Sequence, residues 1–216
     1  MRSARMATRA ETDRVRRIWD RLAPGYDKKI RLPERLLFEG GRKWVCSRAR
    51  GEVLEISIGT GRNLPLFAWD VRVTGVDISA RMLEIARKRA AEQGGDVDLR
   101  VGDAQALELP DSSFDTVVCT LALCSIPDPR AAVAEMRRVL RPGGRVLLLE
   151  HVRSPGLVVR TIQHALEPIA VRLEGDHLLR EPLDLLEGEL FEVEEFERSK
   201  LGLVERVAAR RSGAKQ

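Results

Sequence analysis

From residue 52 onward, short apolar runs alternate with amphipathic stretches. This alternation predicts a parallel sheet built from βαβ units. Ligands of such sheets bind at the carboxyl ends of the strands, so functional residues are expected just after each strand. Strands are predicted at 52–57, 72–76, 97–101, 114–121 and 144–150, and helices at 62–69, 79–93 and 130–140.

The first 50 residues show a helical period of apolar positions instead. A first helix is predicted to be capped by Thr12 or Asp13 and stopped by the Pro-Gly pair at 24–25. Tyr26 is expected in the loop that follows, and a second helix is predicted over 33–48. These helices form a predicted N-terminal cap.

The region after residue 151 departs from the alternation and reads as an insertion. It contains an apolar stripe over 156–173 that core packing explains most simply, although the stripe of a helix can also line an acceptor pocket or touch a membrane surface. Two last strands, at 190–198 and 202–209, are predicted to form an antiparallel hairpin. The stripe comprises Val158, Ile162, Leu166, Ile169 and Leu173.

Together these elements predict an α/β fold, a Rossmann-like doubly wound sheet of seven mostly parallel strands with a C-terminal antiparallel hairpin and N-terminal helices. We interpret residues 1–216 as a single domain, since 44% hydrophobic content over this length suits one core. Its parts are a helical cap (1–50), a cofactor-binding core (51–151), a substrate-side insertion (152–189) and a strand pair (190–211).

Charge and composition narrow the partners. The net charge of +4 is small for a chain with 32% charged residues, and aromatics at 4% offer little for stacking on bases, so we expect no nucleic-acid partner. No apolar run is long enough to span a membrane, which leaves peripheral contact as the possible kind. Three cysteines without a CxxC pair favour a cytoplasmic protein and predict no metal site.

The first predicted strand breaks into a glycine turn, ISIGTGRN. Gly59 and Gly61 let the backbone approach a ligand closely, and a helix after the turn would present its free N–H groups to an anion or carboxylate. An acid, Asp77, closes the second strand about twenty residues on, where it can accept hydrogen bonds from a ribose diol. NAD-binding proteins share this signal, but their third glycine is replaced here by Leu64.

Further polar residues follow the other strands: Glu55 lies within the first strand's end, and Asp103-Ala104 follow the third. With VTGVDIS, RVGDAQALELP, PDSSFDTVVCTLAL and LRPGG in view, the chain resembles the class I S-adenosylmethionine-dependent methyltransferases, over about residues 12–151. The last two segments are typical of the ubiquinone/menaquinone-type branch.

The resemblance implies S-adenosyl-L-methionine as cofactor and S-adenosyl-L-homocysteine as product. It places the methionine and ribose portion at the acid and the glycine turn, the ribose diol at the acid of the second strand, and the adenine at the next two segments. A tyrosine after the first helix would close over the cofactor. The implied cofactor-binding residues are Tyr26, Glu55, Ser57, Gly59, Gly61, Asp77, Ile78, Met82, Asp103, Ala104 and Leu121.

Two departures qualify the match. Ser57 occupies the position of the first glycine in the usual run, and YDKKI stands where the quinone C-methyltransferases carry YDxMN, which disfavours quinone methylation. The stretches LLLEHVRSPG and LEGDHLL resemble bacterial phospholipid and microsomal thiol methyltransferases more loosely.

His151, just past the fifth strand, and His177, in the insertion, are the candidate catalytic bases, because a neutral imidazole accepts a proton near pH 7. A histidine merely hydrogen-bonded at a strand end is the alternative. The predicted function is methyl transfer to a small apolar or amphipathic acceptor: a thiol, a phenol or quinol, or an amine headgroup. An NAD(P)-dependent oxidoreductase and a non-catalytic cofactor-binding module are the alternatives.

Overall fold

The computed structural model describes residues 2–94 and 97–212, and side chains from residue 9 onward. Within these residues, helices cover both faces of a seven-stranded sheet. The helices are α1 (Arg2–Leu22), α2 (Tyr26–Leu36), α3 (Gly41–Cys46), α4 (Ala80–Gln93), α5 (Pro129–Val139), α6 (Leu157–Glu174) and α7 (Pro182–Gly188). The strands are β1 (Glu52–Ile56), β2 (Arg72–Asp77), β3 (Val97–Val101), β4 (Phe114–Thr120), β5 (Leu140–His151), β6 (Phe191–Ser199) and β7 (Val204–Arg211).

The strand order is β3-β2-β1-β4-β5-β7-β6. The first five strands pair in parallel, whereas β7 is antiparallel to both β5 and β6. The order reverses between β1 and β4, which opens a crevice at their carboxyl ends. The predicted fold class is confirmed.

Alternate residues of the central strands belong to two separate apolar clusters, one on each face of the sheet. On β1, Leu54 packs with α5 through Met136, and Val53 packs in the cluster that includes Leu83 of α4. Burial on both faces explains why these strands read as nearly continuous apolar runs. The carboxyl ends of the strands are therefore held rigidly.

The N-terminal helices differ from the prediction. Helix α1 already begins at Arg2, so Thr12 caps nothing; its hydroxyl instead accepts a 3.1 Å hydrogen bond from Gln105 Nε2. The predicted loop at Tyr26 and the single helix over 33–48 were wrong: Tyr26 starts α2, and the chain breaks before α3 at Gly40, with φ of 71°. Left-handed backbone ends a helix, and glycine adopts it readily.

The helix predicted at 62–69 was also wrong. The glycine turn runs into a single 3₁₀ turn, Leu64–Leu66, closed by i→i+3 bonds such as Leu66 N to Asn63 O at 2.8 Å. Pro65 lacks an N–H and disfavours helical backbone in the residue before it, so no α-helix propagates. The anion-binding helix N-terminus expected after Gly61 is consequently not formed.

Helix α6 was expected to pack its apolar stripe in the core, and this too was wrong. Ile162, Leu166 and Ile169 are 54%, 48% and 56% exposed. No helix within residues 2–94 and 97–212 has the length and apolar character needed to cross a bilayer.

Candidate active site

The glycine turn after β1 is built from left-handed backbone. Ser57, Gly59 and Gly61 have φ values of 52°, 58° and 74°. A Cβ added at Gly59 would meet only a backbone oxygen at 3.9 Å, whereas one at Gly61 would meet Leu64 Cδ1 at 2.8 Å and Ala86 Cβ at 3.2 Å. Gly59 thus leaves room for a ligand, and Gly61 leaves room for α4.

Asp77 ends β2 and is fixed from both sides by main-chain donors. Its Oδ2 accepts a bond from Gly59 N–H and its Oδ1 one from Ser79 N–H, both at 2.8 Å. Burial raises the pKa of Asp77 to about 6, and the two N–H groups limit that rise. The carboxylate is held in one orientation at the edge of the crevice.

Glu55 points from β1 into the protein and is 2% exposed. Its Oε1 accepts a 2.8 Å bond from Asn63 Nδ2, but its Oε2 has no hydrogen-bond partner among the described residues. Burial raises the pKa of Glu55 to about 8, although Arg42 and Asn63 oppose the rise. A buried carboxylate oxygen without a hydrogen bond costs free energy of folding. A ligand that donates a hydrogen bond to this oxygen would remove that cost.

Asn63 joins the two sides of the crevice. Besides Glu55, its amide donates to Thr120 Oγ1 at 3.0 Å at the end of β4, and its Oδ1 accepts from Arg42 Nη1 at 3.0 Å. The sequence gives no signal for this role of Asn63, because an asparagine after a glycine turn is a common loop residue.

Hydrogen bonds and ion pairs hold α2 against the glycine turn and α4. Asp27 accepts hydrogen bonds from Thr60 Oγ1 at 2.6 Å and Arg89 Nη2 at 2.5 Å. Further along α2, Glu34 pairs with Arg42 and Arg62. Both arginines also line the cavity described below. The acids of α2 thus face inward and hold this helix over the site.

Tyr26 packs edge-on against Trp19 of α1, with 5.8 Å between the ring centroids and an interplanar angle of 80°. Burial raises the pKa of Tyr26 to about 12, so its hydroxyl stays protonated. The two rings close one side of the crevice.

On the opposite side of the crevice, the side chain of Gln105 hydrogen-bonds to three segments of the chain. Its Nε2 donates to Asp103 Oδ1 at 2.8 Å and to Thr12 Oγ1 of α1, while its Oε1 accepts from Asp128 N at 2.8 Å. One side chain therefore ties together the β3 end, α1 and the loop before α5. The sequence offered no signal for this role beyond its place after Asp103.

Most of these residues line one cavity, whereas Asn63, Asp27 and Glu34 lie outside its lining. It is bounded by α1, the start of α2, the glycine turn and the carboxyl ends of β1, β2 and β4. Gly61 is missing from its lining, as its contact with α4 explains. The predicted cofactor-binding residues that line it are Tyr26, Glu55, Ser57, Gly59, Asp77, Ile78, Met82, Asp103, Ala104 and Leu121.

Leu121 is the first residue after β4 and not part of the strand, with φ of 54°. Left-handed backbone strains a leucine, and such strain concentrates at functional sites. The turn is held by buried Glu150, whose Oε1 accepts bonds from Ala122 N at 3.0 Å and Leu123 N at 3.1 Å.

Neither candidate histidine lines the cavity. His151, the last residue of β5, lies behind the turn after β4, with its Nε2 3.3 Å from Asp176 Oδ1. Cys124 Sγ joins this pair, and the three donor atoms lie within 4.8 Å of one another. His177 donates its main-chain N–H to Cys124 O at 3.0 Å, and its ring contacts Glu167 at 3.3 Å.

The surroundings of His151 favour its charged form. Burial opposes the charge, but the carboxylates of Asp176, Glu150 and Glu167 outweigh that effect and raise the pKa of His151 above its ordinary value. Burial alone would raise the pKa of Asp176, but His151, the Cys124 thiol and His177 together outweigh burial and lower it. His151 and Asp176 therefore form a hydrogen-bonded pair behind the turn after β4, outside the cavity lining.

Comparisons with known proteins show the family to which the chain belongs. A family model described as a methyltransferase domain matches residues 54–148. The human thiol S-methyltransferase TMT1B is 33% identical over 183 residues, which are 82% of this chain and 75% of that protein. The chain belongs to the S-adenosylmethionine-dependent methyltransferases, and its cofactor is S-adenosylmethionine.

Other relatives span different acceptors. Phosphatidylethanolamine N-methyltransferase of Cereibacter sphaeroides is 45% identical over 103 residues, 47% of this chain and 51% of that enzyme. Demethylmenaquinone methyltransferase of Deinococcus radiodurans is 33% identical over 174 residues, 75% of this chain and 72% of that enzyme. The chain thus spans about half the length of the first and more of the others, and the three names give different acceptors: a thiol, phosphatidylethanolamine and demethylmenaquinone.

Among solved structures, a methyltransferase from Thermotoga maritima superposes with a TM-score of 0.71 at 25% identity, covering 92% of this chain and 100% of that one.

The residues that line the cavity also fit the cofactor by their own chemistry. The unpartnered Glu55 Oε2 suits an ammonium donor, the fixed Asp77 carboxylate suits a diol, and the open Gly59 admits close approach. The carboxylates of Asp77 and Asp103, near the ends of β2 and β3, disfavour the pyrophosphate of NAD(P) in that part of the lining.

Proposed function

We propose that the chain transfers a methyl group from S-adenosylmethionine to a small apolar or amphipathic acceptor. The observation that carries this proposal is the mixed lining of the cavity. Glu55, Asp77 and Asp103 line it together with apolar side chains of α1 and of the turn after β4, including Trp19 and Ile126. The carboxyl groups suit a cation with a ribose, and the apolar side chains suit an apolar acceptor.

Within this cavity, Glu55 would receive the ammonium, and Arg42 or Arg62 would receive the methionine carboxylate, since the expected helix N-terminus is absent. Asp77 would bind the ribose diol and Asp103 with the Ala104 main chain the adenine edge, between Ile78 and Met82. Tyr26 and Leu121 would cover the sulfonium end.

Methyl transfer from a sulfonium is an in-line displacement. The acceptor's lone pair forms the bond to the methyl carbon as the sulfur–carbon bond breaks, and neutral S-adenosylhomocysteine leaves. The protein mainly positions the acceptor about 3 Å from the methyl carbon and excludes water. Tyr26 and Trp19 on one side and Gln105 on the other supply this closure.

A proton must leave a thiol, phenol or ammonium acceptor. Because His151 does not line the cavity, we propose that it receives this proton through an intervening water, with Asp176 orienting its ring; Glu150, Glu167 and Cys124 are its other titratable neighbours. His177 remains a second candidate. Because the pKa of His151 is raised, kcat/KM should rise with pH through a value above the usual 6.5.

The variant Asp176→Asn should move that pH profile to lower pH, and His151→Gln should lower kcat while the affinity for S-adenosylmethionine is unchanged. His164→Gln, exposed on α6, is the control. A profile unmoved by Asp176→Asn would remove the base assignment.

An acceptor screen tests the activity itself. Thiols, phenols, quinols, amines and phospholipid headgroups would be offered with S-adenosylmethionine, and S-adenosylhomocysteine would be measured. We expect turnover with an apolar or amphipathic member. Cofactor binding without turnover across the screen would favour a non-catalytic binding module, and preferential binding of NAD(P)H would favour an oxidoreductase.

A further inference from the structure

Helix α6 exposes its apolar face to solvent, whereas an ordinary surface helix turns that face toward the core. From Val158 onward, its large apolar side chains follow one another at spacings of three or four residues on the side facing solvent, and Leu157 precedes them. Their exposed fractions, from about half to three quarters, far exceed what isolated surface leucines require. These residues are Leu157 (70%), Val158 (74%), Ile162 (54%), Leu166 (48%), Ile169 (56%) and Leu173 (55%).

Gln163, Glu167 and Glu174 of α6 face the protein instead, whereas Thr161, His164 and Arg172 are exposed. Gln163 is 8% exposed, and its amide accepts from Ser154 N at 2.8 Å and donates to Val152 O at 2.9 Å. Glu167 accepts from Leu178 N at 2.6 Å, and Glu174 pairs with Lys29 of α2 at 2.5 Å. The inward contacts therefore fix which face is exposed, and they leave the apolar stripe outward.

Helix α2 shows the same division next to α6. Its acids, Asp27 and Glu34, are turned inward to the arginines of the site. Outward it presents Leu32 and Leu36, 63% and 58% exposed. Exposed cations stand among these leucines: Lys28, Arg31 and Arg35, together with Lys29, which pairs with Glu174.

We propose that the outward faces of α2 and α6 form a docking surface for an anionic lipid bilayer. An apolar stripe flanked by Lys and Arg is the composition that lies in a membrane interface, with the aliphatic groups among the acyl chains and the cations at the headgroups. The inward turn of both acids on α2 removes the charges that would repel an anionic surface.

The charge distribution argues for a bilayer rather than a second copy of the chain. A symmetric pairing of these faces would bring the cations of α2 and Arg172 of α6 toward the same cations of the partner. Like charges brought together oppose association, whereas anionic headgroups are attracted.

The position of the surface links it to the site. Helix α2 begins at Tyr26, which lines the cavity, and α1, which lines it through Val15 and Trp19, contacts α6 through Arg14 Nη2 and Val171 O at 3.2 Å. A bilayer docked here would lie against the elements that cover the cavity. The inference concerns where the protein acts and holds whichever acceptor is methylated.

The test is sedimentation of the purified full chain with phosphatidylcholine vesicles containing about 30% phosphatidylglycerol, and with phosphatidylcholine vesicles alone. We expect binding to the anionic vesicles that weakens with salt. The triple variant Ile162→Gln, Leu166→Gln, Ile169→Gln should weaken the partition at least about tenfold, because aliphatic burial is lost. Since each cation contributes about fivefold, Arg31→Glu with Arg35→Glu should weaken it roughly 25-fold or more.

Matched controls lie away from the surface. Trp69→Gln removes a side chain that is 96% exposed at the start of β2, opposite the carboxyl ends of the strands, and Arg87→Glu with Lys88→Glu reverses two exposed charges on α4. Both should bind vesicles like the unmodified chain. Circular dichroism would confirm that every variant is folded.

Three results would overturn the proposal: no vesicle binding by the unmodified chain, equal losses in the control variants, or a dimer in sedimentation velocity that the α6 triple variant dissociates. The last result would assign the face to a second copy. Because vesicle binding is read without an acceptor, its failure leaves the methyltransferase proposal separately testable.

Discussion

The main-chain N–H of Gly59 donates a 2.8 Å hydrogen bond to Oδ2 of Asp77. This bond joins the turn after β1 to the end of β2, so the glycine that admits the cofactor also orients the acid that would bind its ribose. The Ser79 N–H fixes the other oxygen at the same distance. The two segments that the sequence marks as cofactor-binding are therefore one hydrogen-bonded unit.

The first prediction follows from this unit. Asp77→Ala removes a charged acceptor for the ribose diol, and hydrogen bonds to charged groups contribute about 1.5–3 kcal/mol. We expect the dissociation constant for S-adenosylmethionine, measured by calorimetry, to rise about 10- to 100-fold. Asp70→Ala, which alters an exposed loop acid, should leave it unchanged. Undiminished affinity in the folded Asp77 variant would contradict the ribose assignment.

The second prediction concerns the proton on Glu55. Its pKa of about 8 means that the carboxyl is largely protonated at pH 7 in the free protein, and an ammonium beside the unpartnered Oε2 would favour its ionised form. Binding of S-adenosylmethionine at pH 7 should therefore release about one proton from this group. Calorimetry in buffers of different ionisation enthalpy measures that release, and Glu55→Gln should abolish it.

The same raised pKa has a consequence for stability. Unfolded Glu55 ionises near 4.5 and folded Glu55 near 8, so between these values the folded state binds more protons. The contribution of this group therefore favours folding below about pH 4.5 and is lost as the pH rises to 8. Urea unfolding at pH 5 and pH 8 should show a smaller pH-dependent loss in Glu55→Gln than in the unmodified chain; an equal loss would argue against the assignment.

A further prediction tests the close packing of Gly61 against α4. Gly61→Ala places a Cβ against Leu64 and Ala86 at a φ of 74°, so left-handed strain of about 1–2 kcal/mol adds to overpacking of about 1–3 kcal/mol. Gly40→Ala is the matched control, because its φ is 71° and a Cβ there meets nothing within 4 Å. Denaturant unfolding should show the larger loss for Gly61→Ala. Equal losses would mean that packing against α4 contributes nothing.

The sequence predicted the sheet well because the patterns that mark strands and helix starts lie within short segments of the chain. Strands buried on both faces read as apolar runs, and Ser79 marks the start of α4 as a side-chain cap, accepting a 3.1 Å bond from Met82 N. Positions just after strands likewise carried the acids of the cavity, because the topology brings strand ends together.

What the sequence missed depends on tertiary contacts. Asn63 and Gln105 owe their roles to partners 57 and 93 positions away, Thr120 and Thr12, and no local pattern encodes such bonds. The stripe of α6 was assigned to the core because periodicity reveals that a face is apolar but not which way it turns. The inward hydrogen bonds of Gln163 decide its direction.

The last prediction tests the closure of the cavity by Gln105. Gln105→Ala removes its bonds to Asp103, Thr12 and the Asp128 N–H, so α1 loses a tie to the cavity wall. A net contribution of about 0.5–1.5 kcal/mol predicts a roughly 2- to 13-fold weaker affinity for S-adenosylmethionine.

Two variants make the interpretation specific. Thr12→Val removes only the bond to α1 and should produce a smaller loss than Gln105→Ala, whereas Gln93→Ala, exposed at the end of α4, should produce none. Protease digestion with and without cofactor would show whether α1 is loosened, since a released helix is cleaved faster. A Gln105 variant with unchanged affinity and unchanged cleavage of α1 would show that Tyr26 and Trp19 close the cavity without it.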